Sequence, residues 1–556
     1  VINVPPDSQL HRQVVRKRPE APDIQVDPVV RLYYVEVDEP RMDDPAGEQE
    51  RLAEALRKEW ALSGLEFDLH VTSSLHAALQ AGHRAVTVAV HDGSQVTAVW
   101  PGFRDLAWGV AFDVGSTTIA GHLCDLATGE VVASEGVMNP QIRFGEDLMS
   151  RVSYVMLNED GAERLTGAVQ ETLDDLLGRL VDAGGGERSD VLEVTLVGNP
   201  IMHHLVLGFD PTPLGTAPFA LATDRAIRIG ASVVGLDANP GARLYALPCI
   251  AGHVGADAAG AILSEGPQRG DAVQLLVDVG TNAEIVLGSK DELLAASSPT
   301  GPAFEGAQIS GGQRAAPGAI ERVRIDRDTL EPRFKVIGCD LWSDEPGFVD
   351  QAPEVTGICG SGIIEAIAEL FLAGVIAADG TIRAGDHPRL VAEGRTTSYV
   401  LHDRPIRITQ NDVRAIQLAK AALYAGCRLL MDELGVDHVD EIRLAGAFGS
   451  HIDPTYAMIL GMIPDCDLDR VSAAGNAAGT GAMMALLSSA ARREIEQVAR
   501  EVHKVETAVE PRFQEHFVQA MGIPHSVDRF ARLAAVVDLP VATAGRRRGR
   551  RNAGKP

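Results

Sequence analysis

An α/β fold that states one plan twice is predicted by three observations. The run AFDVGSTT at Ala111–Thr118 returns as LLVDVGTN at Leu275–Asn282. A second pair follows each of these, VTLVGNP at Val194–Pro200 and IRLAGAFGS at Ile442–Ser450. In each half the Asp-Val-Gly run opens three short strands, and helices and a further strand come after it in a βββαβα order. A chain of 556 residues is also too long for one core and asks for several units.

Taken in order, residues 1–28 read as a linker, with Pro5, Pro6, Pro19, Pro22 and Pro28 around the basic patch His11–Arg18. Residues 29–106 read as a small α/β middle domain. Val29–Val37 is a strand, and Gly47–Trp60 is a helix with Leu52, Ala55, Leu56 and Trp60 on one face. A short helix over LHAALQAG follows, then a hairpin over Ala85–Trp100 turning at Asp92-Gly93. No chemistry is visible there, and a docking or dimerisation role is expected.

The first lobe, residues 107–272, carries three strands from Trp108, an amphipathic helix Glu163–Gly184, the strand VLEVTLVGN and the helix PIMHHLVLG. The second, residues 273–490, repeats the meander and carries insertions between Ser298 and Thr409. Helices are predicted at Gly360–Gly374 and at Thr409–Leu434, the latter with Thr409 as N-cap and Asp412 in its first turn. The strand EIRLAGA follows, and Gly475–Ser488 is predicted to be helical in its second half. Residues 491–540 read as charged C-terminal helices packed on the outside. Residues 541–556 read as a disordered basic tail around Arg546–Arg551.

A net charge of −27 argues against general binding of nucleic acid or an anionic membrane. No apolar run reaches membrane-spanning length and no signal peptide opens the chain. The six cysteines are scattered without CxxC spacing, which predicts reduced thiols in a cytoplasmic protein.

Asp113 and Asp278 each end an apolar strand just before a glycine. A lone Asp there would be a turn cap. Two in a repeated setting point to a magnesium–phosphate site, in which Asp holds the water shell of the metal and glycine backbone receives phosphate oxygens. Gly115, Ser116, Thr117 and Thr118, with Gly280, Thr281 and Asn282, are the candidate phosphate donors. Glu305 is the one acid in the Gly/Pro/Ala-rich stretch Thr300–Ile320, and either orients an attacking water or is an exposed loop acid. Gly360, Ser361 and Gly362 open a helix; their amides suit phosphate, and an N-cap role explains Ser361 equally well. The adjacent His203 and His204 lack i,i+4 metal spacing and are expected to pack, and His253 has no assigned role.

The DVGSTT and DVGTN motifs and the LAGAFGS turn resemble the actin, sugar-kinase and heat-shock-chaperone superfamily called ASKHA. That resemblance implies duplicated ribonuclease-H-like, actin-like ATPase lobes binding ATP and Mg2+, with Gly446, Phe448 and Gly449 against adenosine. Gly198 and Asn199 sit in the equivalent turn of the first lobe. No GxxxxGK[ST] run occurs, which excludes a P-loop enzyme.

Six longer runs sharpen this: PPDSQLHRQVVRK, VGNPIMHHLVLGFDP, HVGADAAG, TGPAFEGAQISGGQRAAPGAI, TGICGSGIIEAIAEL and LAGAFGSHIDP. Together they resemble the ATP-dependent reductive activators of corrinoid enzymes, over about Val1 to Leu487. The resemblance implies ATP-driven reduction of Co(II) to Co(I) in the corrinoid protein of a methyltransferase, and it leaves room for a homodimer. It also implies an N-terminal plant-type ferredoxin domain with a 2Fe–2S cluster, feeding electrons from a donor. The cysteine spacing for that cluster is missing here, and Val1 opens on what reads as mid-protein sequence, so the domain is expected to lie before Val1. No DxHxxG run is present, which places the corrinoid on a partner. The rival readings are a small-molecule kinase of the same superfamily, a non-catalytic nucleotide-binding scaffold, and a dehydratase activator, whose intersubunit cluster would need a cysteine pair that is not evident.

Overall fold

The computed structural model describes residues 24–145, 147–280, 282–306, 308–402, 406–449 and 452–540. Most of the predicted linker, the basic tail and Thr281 lie outside the described residues, as does the side chain of Phe448. The chain forms two compact units. One takes in residues up to Pro299 with Leu430–His451 and Val471–Glu510; the other takes in Thr300–Leu429, Ile452–Arg470 and the chain from Pro511.

The first unit opens with a four-stranded sheet in the spatial order Val30–Glu36, Ala85–His91, Gln95–Pro101, Glu66–Phe67. Helices Glu48–Trp60 and Leu69–Ala81 cover it. The second helix starts earlier than LHAALQAG suggested, because Asp68 ends the preceding extended segment and Val71, Leu75, Ala78 and Leu79 are buried at helical spacing.

Two six-stranded sheets follow. The first is built from β1 (Trp108–Val114), β2 (Thr118–Asp125), β3 (Val131–Met138), β4 (Val191–Gly198), β5 (Ile227–Gly230) and β6 (Arg243–Ala246), in the spatial order β3-β2-β1-β4-β6-β5. The second is built from β7 (Gln274–Val279), β8 (Ala283–Gly288), β9 (Leu293–Ser298), β10 (Glu441–Ala445), β11 (Val471–Gly475) and β12 (His503–Lys504), in the order β11-β10-β7-β8-β9-β12. In both, an antiparallel meander of three strands meets a parallel strand on the far side of the first one. This is the duplicated α/β plan that the repeated motifs predict.

Side-chain alternation then decides what each face does. Val110, Phe112 and Val114 of β1 pack against helix α1 (Gly161–Gly184), which buries Leu173, Leu176, Leu177 and Leu180 on that face. Each such leucine stabilises by roughly 1.5–3 kcal/mol relative to exposure. Ala111, one residue out of phase, faces a different core that also takes in Leu276 of β7, Val286 of β8 and Ala445 of β10. Helices α2 (Ala256–Glu265) and α3 (Ala477–Leu487) contribute alanines, leucines and methionines to that core. The residues Asp113, Asp278 and Glu284 are in phase with Ala111, Leu276 and Val286, so they share this face. Helix α3 starts right after Gly475 and runs through nearly all of the segment predicted to be helical only in its second half, because Asn476 caps it by accepting from the Gly479 amide at 2.9 Å.

The second unit contains a three-stranded sheet, ordered Pro332–Val336, Ala319–Ile325, Gly357–Ile358, and another formed by Leu390–Glu393, Thr396–Val400 and Arg407–Ile408. Helix Gly360–Leu372 packs on the first of these, and its buried Glu365 accepts from Arg322, Arg324 and the Val323 amide at 2.6–2.8 Å. The helix Gln410–Leu434 is capped as predicted: Thr409 Oγ1 accepts from the Asp412 amide at 3.2 Å, and Asp412 accepts from the Thr409 amide at 2.8 Å. Among the described residues, no helix is long and apolar enough to cross a membrane.

Helices α2 and α3 touch backbone to backbone. A Cβ on Gly481 would lie 2.0 Å from the Gly260 carbonyl oxygen, and a Cβ on Gly260 would lie 2.8 Å from that of Ala478. Gly481→Ala is therefore expected to destabilise the protein by about 1–3 kcal/mol, the usual range for overpacking. Gly167→Ala, on α1 with open space around it, should instead gain about 0.5–1 kcal/mol from helix propensity. Urea unfolding of the two variants checks this; equal effects would contradict the close crossing.

Candidate functional site

The ends of β1 and β7 hold the two aspartates. In register, Asp113 lies beside Val197 of parallel β4, and Asp278 lies beside Ala445 of parallel β10. Each therefore stands next to the strand that leads into the second Gly-centred turn of its repeat. At Gly446 the backbone is left-handed, with φ of +86°, and an added Cβ would come 2.4 Å from Asp278 Oδ1. Only glycine fits there without displacing the carboxylate. Gly446 and Gly449 form one helical turn directly after β10.

Two acids that sequence reasoning passed over join the aspartates. Asp257 lies in the first turn of α2, and Glu284 is the second residue of β8, both half-buried like Asp113 and Asp278. Burial is the main force on all four carboxyls, and it raises their pKa values. Asp113 is pushed up to about 6 despite a hydrogen bond from Asn476 that works the other way. Asp278 is pushed up to about 7 by burial, then by the charges of Asp257 and Asp113. Asp257 and Glu284 rise for the same reasons, burial first and neighbouring carboxylates next. The charge of Asp113 thus disfavours ionisation of Asp257 and Asp278, and those of Asp257 and Asp278 disfavour ionisation of Glu284. Asn476 does two jobs, since its side chain both caps α3 and reaches Asp113.

The donor chemistry of this set, hard oxygens that repel one another, suits a hard cation. Among the described residues, no three acids or histidines converge closely enough to grip a metal directly. Hard, half-buried oxygens of this kind are compatible with a hydrated magnesium ion held through its waters. The cysteines do not fit a 2Fe–2S cluster: Cys124, Cys249, Cys359, Cys427 and Cys466 are buried and Cys339 is half-buried, and they share no site.

The loop after β1 is held from behind. Asn139 Nδ2 donates to the Gly115 carbonyl at 2.9 Å, and its amide donates to the Thr117 carbonyl at 2.9 Å. Arg151 donates to the Ser116 carbonyl. Gly198 and Asn199 form the matching turn after β4, where Asn199 Oδ1 accepts from the Met202 amide at 3.0 Å as a helix cap. Of the second repeat's loop, Gly280 and Asn282 are described.

Glu305, half-buried in the turn Pro302–Glu305, belongs to the second unit, as do Gly360, Ser361 and Gly362. The N-cap of helix Gly360–Leu372 is Cys359, so Ser361 is not the cap. Its hydroxyl lies 3.3 Å from Cys359 Sγ. His204 donates from Nδ1 to the Pro200 carbonyl at 2.7 Å and accepts the Ala222 amide at Nε2 at 3.0 Å, which fixes it as a packing residue. His203 is fully buried beside it, and His253 stacks on Phe219 with ring centres 4.1 Å apart.

The missed residues did leave signals. Glu284 is an acid inside the apolar run AEIVLG, Asp257 is the second residue of an alanine-rich helix, and Asn476 precedes one. Asp257 and Asn476 do repeat, as DAAGA at Asp257–Ala261 and NAAGT at Asn476–Thr480, with the acid replaced by an amide; Glu284 does not, since Ala120 holds the matching place beside Asp113.

Three family models match in succession: the linker region of RACo over residues 20–105, the middle region of RACo over 108–269, and the C-terminal ASKHA domain of RACo over 272–534. The corrinoid activation enzyme RamQ of Eubacterium limosum is 35% identical over 428 residues, 74% of this chain and 69% of that protein. A reductase of a Co(II) methylated-amine-specific corrinoid protein from Methanosarcina barkeri is 26% identical over 382 residues, 64% of this chain and 66% of that protein. A solved reductive activator for a corrinoid, iron–sulfur protein superposes with a TM-score of 0.80 at 32% identity, covering 94% of this chain and 85% of that one.

The raised carboxyl pKa values set a sign for pH dependence. Carboxyls that hold protons more tightly when folded stabilise the folded state below the ordinary Asp value of 3.8 and lose that stabilisation as pH rises toward about 7. Without divalent cation, thermal stability of the wild type should fall across that window more steeply than that of Asp278→Asn, and Mg2+ should restore the wild type at its upper end. Parallel pH profiles for the two proteins would contradict the mutual repulsion.

Proposed function

This chain belongs to the RACo family, whose linker, middle and C-terminal ASKHA models it matches in order, and from that premise we propose that it is an ATP-dependent reductive activator of a corrinoid protein. The reaction is one-electron reduction of Co(II) to Co(I) in the corrinoid subunit of a methyltransferase system. Co(I) is the nucleophile that such methyl transfer needs, and oxidation to Co(II) removes it from the cycle.

The ASKHA fold is a nucleotide-binding fold. In the proposed site, Asp113 and Asp278 orient the waters of Mg2+, and bound magnesium supplies charge neutralisation at the phosphates. The amides and hydroxyls of Gly115, Ser116, Thr117 and Thr118, with Gly280, Thr281 and Asn282, receive β- and γ-phosphate oxygens. Gly446, Phe448 and Gly449 leave a bare turn for the adenosine. Within the second unit, Glu305 is the acid suited to orienting a water, and the amides at Gly360–Gly362 head a helix and suit a phosphate. The observation that carries this reading is the pair of strand-end aspartates, supplied by two copies of one sheet plan, with the charge of Asp113 adding to the cost of ionising Asp278.

The electron comes from a 2Fe–2S ferredoxin-type donor whose cluster is not held by the cysteines of this chain. ATP acts by binding two conformations with different affinity, so that its binding and hydrolysis bias the protein toward the state in which the corrinoid accepts the electron. The division into lobes at 107–272 and 273–490, cytoplasmic action and a homodimeric assembly belong to the same proposal.

Asp113→Ala and Asp278→Ala are expected to lower ATP turnover by at least about a hundredfold, the scale for losing a group that holds the transferring phosphoryl site, with circular dichroism unchanged. Phosphate release measured with and without a Co(II) corrinoid protein checks this. Wild-type rates in both variants would overturn the site.

A further inference from the structure

Arg151 is fully buried, in the first turn of the helix Leu148–Leu157. Its guanidinium spends its donors on neutral acceptors: the Ser116 carbonyl, the Gly145 carbonyl at 3.0 Å, Gln141 Oε1 at 3.3 Å and the Met202 sulfur at 3.4 Å. Among the described residues no carboxylate forms an ion pair with it. Among the described residues the acid that supports its charge is Asp147, which is exposed and spends its oxygens on the Ser150 amide at 2.7 Å and hydroxyl at 2.8 Å. A buried cation without a counter-ion is costly unless an anion meets it in the working state.

The place of this charge is specific. Three successive carbonyls of the loop after β1, those of Gly115, Ser116 and Thr117, accept from Asn139, Arg151 and Asn139 in turn. Trans peptide geometry then turns the N–H groups of Ser116 and Thr117 the opposite way, toward the other face of the loop. We propose that Arg151 is a positioning residue for oligophosphate binding: it pins the Ser116 carbonyl, so fixing the amide face of the loop, and places an unneutralised positive charge directly behind that face. An arginine fork suits the role because it stays charged while several of its donors are held in a fixed plane. The inference rests on the reading above that this loop takes the β- and γ-phosphates of ATP.

The test uses the whole chain with Arg151→Met, which keeps bulk and removes charge, and Arg151→Lys, which keeps charge and loses the fork. Dissociation constants for ATP and for AMP are measured by displacement of a fluorescent ATP analogue, with circular dichroism as the check on folding. The expected result is about tenfold weaker ATP binding in Arg151→Met, a smaller loss in Arg151→Lys, and AMP affinity within about twofold of wild type in both, since AMP lacks the outer phosphates. Should Arg151→Met fail to fold, the Arg151→Lys comparison decides. Unchanged ATP affinity in the variants overturns the role of Arg151 alone, and so does a loss shared equally by ATP and AMP, which marks a merely structural residue. Absence of ATP binding in the wild type overturns the nucleotide reading itself.

Discussion

The backbone contact between Gly260 and Gly481 is the constraint on which the first unit depends. A duplicated sheet needs a core that both copies share, and here α2 and α3 provide it. Two helices that meet without side chains between them have one close approach, and that approach sets where their first turns lie. The first turn of α2 carries Asp257, and the cap of α3 is Asn476, which reaches Asp113. The close crossing thus places chemistry-bearing residues from two helices against residues from two strands. Small residues in α2 and α3 look unremarkable as composition; their purpose is geometric.

What the crossing assembles is a group of carboxyls that are uncomfortable without a ligand. Burial raises every member, and neighbouring carboxylates add to the rise at Asp257, Asp278 and Glu284, so the folded protein holds stability in reserve at neutral pH that a cation can return. On the other side of the loop after β1 stands a buried arginine with neutral acceptors. In the proposed site, acid would face the metal and a cation would stand behind the phosphates, two imbalances of opposite sign. An ATP–magnesium complex carries both matching charges. A site whose charges are met only in the loaded state is a natural two-state element, because nucleotide then changes the energy of the protein as well as occupying it.

Much of this was legible in the sequence, for physical reasons. Strand-end Asp-Gly motifs are local, and they recur, so β1 and β7 and their sheets could be read from AFDVGSTT and LLVDVGTN alone. The Thr409–Asp412 capping box was equally local. The rest depends on long-range placement. Asp257, Glu284 and Asn476 matter because the fold brings them to Asp113 and Asp278, and the short DAAG/NAAG echo that links Asp257 to Asn476 changes an acid to an amide and so does not look like a shared site. Arg151 is an ordinary residue in FGEDLMSR until its burial and its reach to Ser116 are known. Boundaries failed where a cap outweighed pattern: Asn476 starts α3 early, Asp68 precedes the helix at Leu69, and Cys359 takes the N-cap position considered for Ser361.

The central claim is that nucleotide chemistry in this chain drives a cobalt reduction. The most direct measurement is the cobalt oxidation state of a Co(II) methyltransferase corrinoid protein, followed by absorbance with the protein, a ferredoxin-type donor, reductant and Mg2+, with and without ATP. The account predicts Co(I) accumulating only when ATP and the protein are both present. Co(I) forming equally fast without ATP, or failing to form with ATP across methyltransferase corrinoid subunits, would contradict it.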